Sequence, residues 1–237
     1  MTTDTLQAAQ QRLIAAGLIL EDQGLGDFTR GHVSLRVPGD ASHFIMKPHS
    51  FGFGEITPEN IVTCNLAGEK VAGGGRRHSE VFIHSELYRA RPDVHSVIHA
   101  HPTYAVAFSA TGRELLPISQ PAAAFADGVP MFTDTVDLIR SPASGAAVAR
   151  ALGPHKAVLM RNHGVAVVGA TLEECVILTV MLDNACQIQL LAQAGGGIGE
   201  RFGAEPVAAL HHNITRPEQY AINFDYLLRV ARRRLGA

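Results

Sequence analysis

Apolar positions along this chain switch between helical and strand periods. Over residues 5–23, Leu6, Leu13, Ile14, Leu18 and Ile19 recur at helical spacing and stop before Gly24 and Gly26, which predicts an amphipathic first helix. Strand-like runs at 33–37, 44–46 and 61–65 follow, separated by a Gly/Pro-punctuated loop at 47–55 and closed by a turn at 67–69. Residues 79–91 read as a helix with Ser79 as N-cap, which places Glu80 in the first turn near the positive end of the helix dipole. Further helices are predicted over 103–110, 143–152 and 171–194. In the last, Thr171 caps and Glu174 completes a capping box. Gly195-Gly196-Gly197 breaks that helix, and the segment from about residue 195 is expected to be mobile or partner-dependent. Strands and helices intermix from end to end, so one α/β domain over 1–237 is expected.

Candidate chemistry enters at His99-Ala100-His101-Pro102. Two histidines one residue apart share a face only in extended backbone. The β-branched Val94, Val97 and Ile98 precede them, and Pro102 ends a strand while tolerating the first turn of a helix. A third histidine, His163, follows Leu159-Met160-Arg161 and precedes the apolar run 165–169, so it lies at a turn between two strand-like segments, where Gly164 fits. Three imidazoles match the ligand count of a catalytic zinc, which keeps one position open. With 12 histidines in the chain, an isolated H-x-H carries little weight by itself. His84 lies six residues after His78, not four, so it is assigned to packing beside the ligands and not to ligation.

Composition narrows the classes. The 237 residues are 46% hydrophobic with a formal net charge of −2, which describes one globular core and offers no basic surface for nucleic acid. Arg232-Arg233-Arg234 is short and suits a solvated helix C-terminus. Asp4 and its polar neighbours stand where a secretory signal would be basic and then apolar, so a cytoplasmic protein with no membrane partner is expected. Cys64, Cys175 and Cys186 have no metal-ligand spacing and read as reduced thiols.

Residues 77–109, RHSEVFIHSELYRARPDVHSVIHAHPTYAVAFS, resemble the class II aldolase/adducin family, in which an acidic residue opens a helix, an R-P-D turn follows and an H-x-H strand end supplies two metal ligands. GHVSLR at 31–36, ITPENIV at 56–62 and RNHGVAVVG at 161–169 resemble further family segments in the same order, so the likeness runs from about the first helix to Leu191. The resemblance implies a three-layer α/β/α fold with a central mixed, mostly antiparallel sheet, and a homotetramer with active sites at subunit boundaries. It also implies one divalent metal ion per subunit on His99, His101 and His163, with zinc first and manganese, cobalt or iron as alternatives, and Glu80 as the acid/base. In such a site the metal acts as the electron sink for an enolate formed from a small-molecule substrate.

Three departures bear on that substrate. His32 replaces the asparagine of the family's G-N-x-S turn. The loop 47–53 carries Lys47, Phe51 and Phe53 where sugar-phosphate members have short polar residues, and 117–121 lacks the tyrosine of the fuculose-phosphate aldolase type. These favour a metal-dependent carbon–carbon lyase that decarboxylates a non-phosphorylated hydroxy acid, such as a dihydroxylated aromatic carboxylate. His32, Ser34, Lys47, Ser79 and Phe51 are then expected to line the substrate end. The alternatives are an aldolase for a small hydroxy-keto substrate or sugar phosphate, and a non-catalytic adducin-like binding protein. The C-terminal His211, His212, Tyr220 and Tyr226 are read as structural.

Overall fold

The computed structural model describes residues 3–236. Among them, eight strands form one sheet: β1 (His32–Val37), β2 (Asp40–Met46), β3 (Val62–Asn65), β4 (Lys70–Gly73), β5 (Ser96–Ala100), β6 (Met131–Phe132), β7 (Ala157–Met160) and β8 (Gly164–Gly169). Their order is β4-β3-β2-β1-β5-β8-β7-β6, antiparallel throughout except for the β6–β7 pair. The helices are α1 (Thr3–Asp22), α2 (Val81–Ala90), α3 (Thr103–Ala110), α4 (Gln120–Ala123), α5 (Pro142–Leu152), α6 (Leu172–Ala194), α7 (Ala204–Ile214) and α8 (Pro217–Leu235).

Strand alternation divides the interior in two. Ile98 and Ala100 of β5 join a core with α1, α3 and α6, while Val97 joins a second core with α2 and α5. The result is the three-layer α/β/α arrangement with a mixed, mostly antiparallel sheet. α6 is long and apolar enough by composition to cross a bilayer, yet half of it is buried against protein. It also carries two polar anchors. Asp183 accepts the Ala105 N–H of α3 at 2.8 Å, which serves a helix whose N-cap, Pro102, has no side-chain donor or acceptor. Gln189 accepts from the Leu116 N–H at 2.8 Å and donates to the Glu114 carbonyl at 2.9 Å, fixing the loop after α3.

Two cap assignments differ from the sequence reading. α2 starts at Val81 with Glu80 in the N-cap position, and Ser79 lies outside it. Glu80 makes no side-chain cap bond, because its carboxylate turns instead to the Ile139 N–H. Thr171 does cap α6, accepting from the Glu174 N–H at 3.1 Å, but Glu174 reaches back to the Ala170 N–H at 2.6 Å and not to Thr171. Its other oxygen pairs with Lys156 at 2.7 Å. Beyond Gly195 the chain forms α7 and α8. α8 packs on α1 and α6 through Tyr220 and Phe224, which belong to the first core.

Candidate active site

The strand registers assemble the site. His32 of β1 lies opposite His99 of β5, their ring centroids 4.9 Å apart, so two distant segments place imidazoles side by side on the α2/α5 face. His101 follows at the end of β5. His163 sits in the tight β7–β8 turn, where Asn162 holds a left-handed φ of 58°, a conformation asparagine tolerates better than most residues. Gly164 is needed there for a different reason. A Cβ would come within 2.4 Å of the Ala100 carbonyl oxygen and 2.7 Å of the His101 ring.

His99, His101 and His163 offer one nitrogen each within 4.8 Å of one another. The His99 Nδ1–H donates to the Val165 carbonyl at 2.9 Å, and the His101 Nδ1–H to Asp27 at 3.2 Å. Both tautomers are thereby fixed, leaving two bare Nε2 atoms facing each other at 3.0 Å. Two opposed lone pairs at that separation repel unless a cation lies between them. Among the described residues, both ring nitrogens of His163 are buried without a hydrogen-bond partner. Burial holds His99 well below the ordinary imidazole range and His163 down to about 4, so the rings are neutral near pH 7, the form that ligates metal. The donor set fits a divalent cation.

Glu80 closes one side. Its Oε1 accepts from the Ile139 N–H at 2.9 Å and lies 3.6 Å from His163 Nε2, while Oε2 lies 3.8 Å from His99 Nε2 and 3.9 Å from His32 Nε2. Burial raises its carboxyl above the usual range, against the Ile139 hydrogen bond. A carboxyl so placed can hold or release a proton beside the histidines.

The open side is a cavity of about 560 Å³ walled by His101, His163, Asp27, Arg30, Val136 and Leu138. Asp27 and Arg30 are absent from the sequence-derived site. They lie in an irregular turn before β1, joined by a 2.9 Å ion pair, and the signal for them was the polar D-x-x-R between Gly26 and Gly31. Asp27 orients a metal-type histidine from behind. Replacing it with alanine is expected to weaken zinc affinity about 10–100-fold in a competition titration with a chromophoric chelator.

The expected substrate residues divide. Phe51 is partly exposed on its loop and Ser79 is exposed. His32 and Ser34 are buried behind Glu80. Lys47, expected to meet a substrate carboxylate, is fully buried, and its ammonium donates to the carbonyls of Thr29, Pro48 and Phe51. His78 Nε2 lies 3.3 Å from the same ammonium. The side chain therefore pins the 47–53 loop from inside, and burial lowers its pKa to about 8. Phe53 belongs to the core.

Two histidines outside the ligand set predict a pH effect. Burial lowers His84 to about 3 and, with help from Lys47, His78 to about 2. Unfolded imidazoles titrate near 6.5. As pH falls below that value the unfolded chain binds protons that the folded chain refuses, so stability falls. The loss is about 1.4 kcal/mol per pH unit per histidine. The urea midpoint of the metal-free protein is expected to drop from about pH 7 to about pH 5.5, and a flat profile would contradict this.

The sequence matches the class II aldolase and adducin N-terminal domain over residues 11–190, and the chain belongs to this family. It is 34% identical over 199 residues to the meiotically up-regulated gene 14 protein of Schizosaccharomyces pombe, covering 83% of this chain and 77% of that protein. It is 37% identical over 172 residues to the decarboxylase NovR of Streptomyces niveus, covering 72% of this chain and 64% of the relative. Among solved structures, the L-fuculose 1-phosphate aldolase of Glaciozyma antarctica PI12 superposes with a TM-score of 0.86 at 28% identity, covering 100% of this chain and 94% of that one.

Proposed function

We propose that this chain is a divalent-metal-dependent carbon–carbon lyase whose reaction is decarboxylation of a non-phosphorylated, hydroxylated acid, with ring-hydroxylated aromatic acids as the narrower class. The reading rests on the buried Glu80 carboxyl, within 4 Å of His99 and of His163, the second of which lines a cavity together with Arg30, Val136 and Leu138. His99, His101 and His163 would hold the metal, for which three imidazoles suit zinc. When bound, the metal supplies Lewis-acid stabilisation of negative charge on substrate oxygen.

The chain's own residues do the rest. Arg30 stands at the cavity wall as a cation for the acid, and Val136 and Leu138 offer apolar surface to a ring. As the bond to the carboxylate breaks, its electron pair stays with the carbon skeleton and carbon dioxide leaves. Glu80 returns one proton to that carbon. The name of the decarboxylase NovR is consistent with this chemistry. A Streptomyces roseochromogenus subsp. oscitans relative, 37% identical over 185 residues, is called 4-hydroxy-3-prenylphenylpyruvate oxygenase/4-hydroxy-3-prenylbenzoate synthase, a name that supports an aromatic acid as ligand but denotes an oxidative reaction, unlike the redox-neutral step here. The chain spans 65% and 64% of those two relatives.

The likeness to the fuculose-phosphate aldolase favours aldol cleavage as the second reading. Incubating metal-loaded protein separately with ring-hydroxylated benzoates, phenyl-substituted hydroxy acids and sugar 1-phosphates separates the two. Carbon dioxide without aldehyde is the expected result, and an aldehyde product overturns it.

A further inference from the structure

Behind Glu80 runs a buried chain of hydrogen bonds that the reaction as described does not use. His32 Nδ1 lies 2.6 Å from His84 Nε2, and His84 Nδ1 lies 2.6 Å from Ser34 Oγ. Ser34 Oγ is 2.7 Å from the Tyr88 hydroxyl, which reaches the His95 carbonyl at 3.4 Å. His32, Ser34, His84 and Tyr88 are each at most 1% exposed. β1 supplies His32 and Ser34 two residues apart on one face, and α2 supplies His84 and Tyr88 four apart on one face, so strand and helix periods put the four groups in line.

Such a chain has two polarities. A carbonyl can only accept, so the Tyr88 hydroxyl donates to His95. Tyr88 oxygen then accepts from Ser34, Ser34 oxygen from the His84 Nδ1–H, and His84 Nε2 from the His32 Nδ1–H. The opposite polarity would set the Tyr88 and His95 oxygens against each other with no proton between them. Reversal by proton hopping would need a proton to leave at the Tyr88 end, where the carbonyl is no base. At the other end, His32 Nε2 is left bare. Among the described residues it is a buried nitrogen without a hydrogen-bond partner, 3.9 Å from Glu80 Oε2.

We infer that His84, Ser34 and Tyr88 lock His32 as its Nδ1–H tautomer, making His32 a positioning residue whose bare Nε2 fixes Oε2 as the proton-bearing oxygen of Glu80. The two carboxyl oxygens are then unequal. Oε1 accepts from the Ile139 N–H, which leaves Oε2, 3.9 Å from His32 Nε2, as the oxygen that bears the proton when the acid form is present. The inference rests on the proposed role of Glu80 only for its effect on turnover; the tautomer assignment stands on the hydrogen bonds.

The test is ¹⁵N NMR of histidine-labelled, zinc-loaded protein, with His32 and His84 resonances assigned by single substitution. Both rings are expected to carry the proton on Nδ1. In Tyr88→Phe the Ser34 hydroxyl loses its acceptor and turns to donate to His84 Nδ1, so the protonated nitrogen shifts to Nε2 in both rings. Should that variant fold poorly, Ser34→Ala provides the second test, because it is expected to abolish the Nδ1–H preference of His84. An Nε2–H His32 in the unmodified protein, or tautomers unchanged in Tyr88→Phe or in Ser34→Ala, overturns the inference. These readouts need no substrate, so they can fail while the lyase reading stands. If a turnover assay is in hand, Tyr88→Phe is expected to lower kcat at unchanged KM, and His32→Gln to retain more kcat than His32→Ala. A purely structural role would leave those two His32 variants alike and overturn the positioning role.

Discussion

His99→Ala is expected to abolish zinc binding, taking the metal content from about one ion per chain to near zero and turnover with it. His99 is fully buried, and its Nδ1–H bond to Val165 aims Nε2 at His101. A catalytic zinc with three protein ligands that loses one keeps too few to compete with a chelator. His212→Ala, at an exposed position on α7, is the matched control and is expected to leave metal content unchanged. Elemental analysis after dialysis reads both. Full zinc retention in His99→Ala would remove the three-histidine assignment.

Glu80→Gln is expected to keep the metal and lose kcat by about 100- to 10,000-fold, the usual worth of a positioned general acid or base. Glutamine is nearly isosteric, and its carbonyl can still accept the Ile139 N–H that Oε1 now accepts at 2.9 Å. What it lacks is a transferable proton. Steady-state kinetics together with metal content separate this from a structural effect, which would change thermal stability and metal retention along with rate. Near-normal kcat would exclude Glu80 from proton transfer.

What the sequence made legible follows how local each cause is. The side-by-side placement of His99 and His101 is set by strand alternation and by Pro102, both within a few residues, and the structure has them so. His163 was legible as a turn residue because Asn162 and Gly164 suit tight geometry. The His32–His99 pairing was not, since it depends on β1–β5 register across more than sixty residues. Ser34 and Lys47 show the same limit. Each looked like a substrate residue by position along the chain, yet the helix packed above β1 draws Ser34 to His84 and Tyr88, and the carbonyls of Pro48 and Phe51 in the loop, with that of Thr29, close around Lys47. The structure brings Glu80 within 4 Å of His99 and His163, but its cap geometry differs from the sequence expectation. Local propensity favours Ser79 as N-cap, but the tertiary bond to Ile139 decides where the helix begins. Asp27 and Arg30 lie in a segment without periodicity, where pattern reading has least purchase.

Turnover by this route needs both the metal, to hold the charge left as carbon dioxide departs, and Glu80, to return the proton. That double requirement is tested most directly with ¹³C-carboxyl-labelled ring-hydroxylated benzoates and phenyl-substituted hydroxy acids, followed by NMR with zinc-loaded, chelator-stripped and Glu80→Gln protein. Labelled carbon dioxide and bicarbonate are expected from the zinc-loaded unmodified protein alone, with no aldehyde signal. Equal release from the stripped protein, or an aldehyde as the product, would contradict it.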